Sequence, residues 1–79
     1  MEIELTFEYI ENLRAKYPIG TRIQCIKMND PFNPIESGTI GTVEKVDDGG
    51  TIHMHWDNGR GLGLIPNEDE FKIIKESES

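Results

Sequence analysis

The periodicity of the chain changes once, at "YPIG" (residues 17–20), and that change limits the fold more than any other feature. Ahead of it, Phe7, Ile10, Leu13 and Tyr17 recur at intervals of three and four, the stripe of an amphipathic helix. Thr6 is placed to cap this helix, and Glu8 and Glu11 suit the positive end of its dipole. Pro18 biases Tyr17 away from helical geometry, so the helix is expected over about 6–16. After Gly20 the regular segments alternate with the period of strands.

"TRIQCIKM" (21–28) carries apolar residues on both sides, so a bent or bulged strand is expected. "NDPFNPIESG" (29–38), with its prolines, asparagines and glycine, reads as a structured loop. "TIGTVEKV" (39–46) is a strand and "DDGG" (47–50) a turn. "TIHMHW" (51–56) alternates cleanly, with Ile52, Met54 and Trp56 on one face and His53 and His55 on the other. "RGLGLIP" (60–66) returns the chain, "EFKII" (70–74) is a short last strand, and "KESES" (75–79) is a polar, frayed tail.

Asn58-Gly59 is a hairpin signal, and two loops are conceivable. With Asn58 and Gly59 alone as the loop, Leu62 and Leu64 share a face with the histidines and the core is split. With Asp57-Asn58-Gly59 as the loop, Trp56 faces Arg60, Met54 faces Leu62 and Ile52 faces Leu64. All the large apolar residues then fall on one side, so this register is expected, with Gly59 left-handed. Across "DDGG", Val46 is set opposite Thr51, which places Val43 opposite Met54 and Glu44 opposite His53. That register gathers Glu44, His53 and His55 on the outer face, the candidates for a metal site. A solvated polar strip, which alternation alone predicts, is the expectation, with no metal and no cofactor.

Seventy-nine residues make one domain, 1–79, with a thin core. The net charge of −7 argues against nucleic acid as a partner, because that binding depends on Lys and Arg. The eight basic residues form no patch. Cys25 alone permits no intrachain disulfide and suits a reducing, cytoplasmic compartment. The start of the chain does not read as a signal peptide, and no apolar run is long enough to span a membrane. Cys25 reads as a small buried hydrophobe, and a chain this small lacks a deep pocket, so no enzymatic activity and no catalytic residue are expected. Trp56 either caps the core or joins Phe32 and Tyr17 in an aromatic surface. Phe32, held between Pro31 and Pro34, is either displayed or folded back to plug the sheet.

The segment 17–74 resembles a family of small bacterial domains of unknown function, common in phages, plasmids and conjugative elements of Gram-positive bacteria. The resemblance rests on Gly20-Thr21-Arg22, Met28-Asn29-Asp30-Pro31-Phe32, Gly38-Thr39, Gly41-Thr42-Val43, Val46-Asp47, Trp56-Asp57-Asn58-Gly59, Leu64 and Pro66. "GTVEKVDDGGTIHMHWDNG" is also similar, over two strands, to the Mind-bomb-type accessory domain of ubiquitin ligases. Both resemblances imply an SH3-like barrel, and neither carries catalytic residues across.

The fold expected is mainly β: a small SH3-like β-barrel of about five strands over 19–74, with one N-terminal α-helix packed across its open end by Phe7, Ile10 and Leu13. The function expected is a monomeric, non-enzymatic module binding a protein or peptide through Phe32, Pro34, His55, Trp56 and Arg60. The alternative is a nucleic-acid-associated accessory barrel of a mobile element.

Overall fold

A computed structural model describes residues 6–74. The tail expected at 75–79 lies outside the described residues. Helix α1 (Phe7–Lys16) begins as its sequence dictates: Thr6 is extended, and its Oγ1 accepts the Tyr9 amide at 3.1 Å. It ends where Pro18 requires, with the Tyr17 amide donating to the Leu13 carbonyl at 2.8 Å.

Four antiparallel strands follow: β1 (Arg22–Lys27), β2 (Ile40–Val46), β3 (Ile52–Trp56) and β4 (Glu70–Ile73), in the sheet order β3-β2-β1-β4. Ile23, Cys25, Val43, Ile52, Met54 and Trp56 point to one face and are buried. Ile10 and Leu13 of α1, Met28, Val46, Leu64, and Ile35 from the 29–38 loop complete that core. The helix lies against β2, and Arg14 fastens it there. Its Nε donates to the Val46 carbonyl at 3.1 Å and its guanidinium pairs with Asp48 at 2.9 Å. Packing starts one turn into the helix, at Ile10. Phe7 therefore does not join the contact expected of it; it is 79% exposed in the first turn, beside a shallow cleft that Asp48 also lines.

The sheet is open, and the five-stranded barrel is not what these contacts form. The expected fifth strand at 60–66 shrinks to one bridge, Ile52–Leu64, with amide–carbonyl distances of 2.9 and 2.8 Å. The expected register does hold at both ends: the Trp56 amide donates to the Arg60 carbonyl at 2.8 Å, and Gly59 has φ 92°. Between those ends the Leu62 carbonyl turns to the Trp56 indole Nε1, at 2.6 Å, and not to Met54. A side chain thus takes the acceptor that a continuous ladder needs.

Two bulges adjust the sheet. One, between Cys25 and Lys27 in β1, answers the two-sided apolar pattern of that strand. The other, between Val43 and Lys45 in β2, corrects the expected register. Val43 opposes Met54 as expected, but His53 faces Lys45 and Ile52 faces Val46. The cause is Asp47. Its Oδ1 accepts the Gly49 and Thr51 amides at 2.9 and 3.0 Å, and its own amide donates to Thr51 at 3.0 Å. The hairpin therefore closes at Asp47–Thr51, and Glu44 becomes the extra residue of the bulge.

Candidate interaction surface

The loop 29–38 is held at five places. The Asp30 carboxylate accepts the Phe32 and Asn33 amides at 2.9 and 3.3 Å, a local turn that aspartate forms readily. Arg60 reaches over from the β3 hairpin and donates to the Asn33 and Pro34 carbonyls at 2.6 and 3.0 Å. The Asn29 amide donates to Asp69 at 2.7 Å, and the Gly38 amide to the Cys25 carbonyl at 2.7 Å. Ile35 anchors the loop in the core at 2% exposure.

On this pinned loop Phe32 is 93% exposed, with Pro31 and Pro34 exposed beside it. The plug of the core is Ile35, so of the two arrangements open to Phe32 it is displayed. Arg60 is close to this surface, but its guanidinium holds the loop. Trp56 does not belong to the surface. It is 0% exposed, with its indole donating inward to Leu62, so no partner can touch it. Its opposite residue in β2, Gly41, explains how it fits: a Cβ there would lie 2.6 Å from the indole Cε3.

His55 is exposed on the other face, opposite Thr42, which in turn opposes Arg22. Arg22 grips Asp57 with two hydrogen bonds, of 2.9 and 2.8 Å, and donates to Thr42 at 2.9 Å. The Arg22 guanidinium holds the Asp57 carboxyl below the usual carboxylate range. His53 is engaged elsewhere, with Nε2 2.8 Å from Asp47 Oδ2. That bond, helped by the Thr51 and Gly49 amides, lowers the Asp47 carboxyl likewise. With Glu44 in the bulge and His53 on Asp47, the candidates Glu44, His53 and His55 do not assemble. No group of three or more potential ligands able to hold a metal ion occurs among the described residues.

Cys25 is buried, and burial, with Asp69 adding to it, pushes its thiol up. It is thereby kept protonated and poorly nucleophilic. Asp69 itself was not apparent in the sequence as an organising residue. It is 9% exposed and bridges two segments, accepting the Asn29 amide through Oδ1 and the Ile65 amide at 2.8 Å through Oδ2. In "NEDE" nothing distinguishes it from its acidic neighbours. A second feature also lay beyond the sequence pattern: an open groove of about 610 Å³ between α1 and β4, lined by Tyr9, Leu13, Tyr17, Ile26, Pro66 and Phe71 among others.

No helix among the described residues is long and apolar enough to cross a membrane. No curated protein and no solved structure matches the chain. One family model does, over residues 6–74, the whole of the helix and sheet. By that match the chain belongs to the family described as "Domain of unknown function (DUF4314)".

Proposed function

We propose that this protein is a non-enzymatic interaction module that docks a protein partner by inserting Phe32 into an apolar pocket on that partner. One observation carries the reading: a large aromatic side chain is 93% exposed on a loop that Asp30, Arg60, Asp69 and Ile35 hold in place. An exposed phenyl ring gains nothing for the fold, whereas a pre-ordered loop lowers the entropy cost of binding through it. Pro31 and Pro34 narrow the loop's conformations further. The single thiol is protonated and inaccessible, which supports a binding role over covalent chemistry. The open sheet, with Leu64 bridging to Ile52 of β3, fits an opened SH3-like barrel. The resemblance to small domains of phages and conjugative elements supports the bacterial cytoplasm as its setting.

The test is affinity capture from nuclease-treated lysate of the source cells, comparing the wild type with Phe32→Ala. Phe32 touches little, so the variant should melt with the wild type. One protein enriched by the wild type and lost with the variant is the expected result. An identical set of captured proteins for both would remove Phe32 from the reading.

A further inference from the structure

Among the described residues β4 ends the sheet, and its inner side is bonded to β1. The Ile74 amide donates to the Arg22 carbonyl at 2.9 Å. By strand alternation Lys72 and Glu70 turn their backbone groups the same way, and Phe71 and Ile73 turn theirs outward. An edge of this kind is a template for another strand. It is apolar on one side, where Phe71 meets Tyr17 with ring centroids 5.7 Å apart at the groove, and Ile73 is 41% exposed. On the other side Glu70 and Lys72 are exposed, one on each side of Phe71 in the sequence.

We propose that two copies of this chain associate through β4, antiparallel about a twofold axis at Phe71, to make one continuous sheet. The charges choose this arrangement. An axis at Glu70 sets two glutamates opposite each other, and an axis at Lys72 sets two lysines opposite. Directly opposed like charges destabilise a strand pair. An axis at Phe71 sets Glu70 of each copy opposite Lys72 of the other, twice. It also lets the two Phe71 backbones exchange both hydrogen bonds, since their N–H and C=O already point outward. The two rings then meet across the axis and join the grooves of the two copies. A strand this short buries less than the roughly 1,200 Å² of a standard interface, so the dimer is weak and forms with concentration. This surface is separate from Phe32 and stands or falls independently of the docking proposal.

Sedimentation equilibrium over a wide concentration range tests it with Lys72→Glu and Glu70→Lys. Lys72 lies opposite Gln24 in β1, so its reversal disturbs no charge pair within the sheet. Glu70 lies opposite Lys27, so that variant is first checked by thermal melting. Each substitution makes both contacts across the axis repulsive and should raise the dimer dissociation constant about tenfold. An equimolar mixture of the two variants, and the double variant carrying both changes, restores opposite charges and should return it to the wild-type value. The two changes move the net charge in opposite directions, so a general charge effect would strengthen one variant and weaken the other. That pattern would overturn the proposal. So would a wild type that stays monomeric throughout, or one that pairs at this edge only with an added extended peptide.

Discussion

Gly41 and Trp56 face each other across β2 and β3, and each fixes what the other can be. The indole lies so close to the Gly41 backbone that a Cβ would sit 2.6 Å from Cε3 and 3.0 Å from Cδ2. Those are ring atoms of a fully buried side chain, which has no room to move aside. Gly41→Ala should therefore destabilise the protein by about 1–3 kcal/mol, the range for overpacking a core. Denaturant titration of the variant checks this; an unchanged midpoint would mean that the ring can shift. Trp56→Phe probes the same place from the other side. It leaves a cavity and removes the donor to the Leu62 carbonyl, each a change of about 1–2 kcal/mol. With that carbonyl released to accept from the Met54 amide, exchange at Met54 should slow relative to the rest of β3. The alternation of "TIHMHW" made Trp56 legible as a core residue. Its hydrogen bond was not, because no pattern in the sequence says which carbonyl an indole will find.

At the scale of elements, what could be read depended on whether local residues decide the outcome. The cap of α1 at Thr6 and the three-residue turn at Asp57–Gly59 rest on near neighbours, and both follow from the sequence. The β2–β3 register depends on Asp47, which can bond forward to Gly49 and Thr51 and so close the hairpin one residue later than expected. The missing fifth strand depends on Trp56, and the bridge from Asn29 to Ile65 on Asp69, forty residues from one of its partners. Only the Asp69–Asn29 bond is long-range; the Asp47 and Trp56 bonds are side-chain-to-backbone choices between near residues, which strand alternation does not encode either. The 29–38 loop shows the same division: its Asp30 turn is local, whereas its latch comes from Arg60. Arg60→Ala should leave the core intact and cost under about 1 kcal/mol of global stability, since both bonds are at the exposed surface. Hydrogen exchange at Phe32 and Asn33 should nevertheless quicken, and capture of the partner should weaken through a higher cost of ordering the loop. Unchanged exchange in that loop would show that Asp30 and Ile35 hold it without the arginine.

For the molecule as a whole, acid should act in two opposing ways. At neutral pH the chain carries a net charge of −7, and its self-repulsion lessens as pH approaches the sequence pI of about 4.6. This favours the folded state on the first part of an acid titration. Asp57 and Asp47 then work in the other direction. Arg22 lowers the Asp57 carboxyl, and His53 with two backbone amides lowers that of Asp47, both from an ordinary value of 3.8. Between the lowered folded value and 3.8 the unfolded chain binds more protons at these sites, so protonation there favours unfolding. Their contribution is complete above about 4 and is lost as pH falls through the folded values. Both carboxylates are solvent-accessible, so each effect is modest, and the two together should appear as a steepening of acid unfolding. Denaturant titrations from pH 7 down to about 2 should show stability level or rising to about pH 5 and falling below about 4. Asp57→Asn and Asp47→Asn should each flatten the falling limb while leaving the rise in place, because each removes a titrating group that is held by the fold and changes the net charge only slightly. An acid limb equally steep in both variants would move the cause of acid unfolding away from the Arg22–Asp57 and His53–Asp47 pairs.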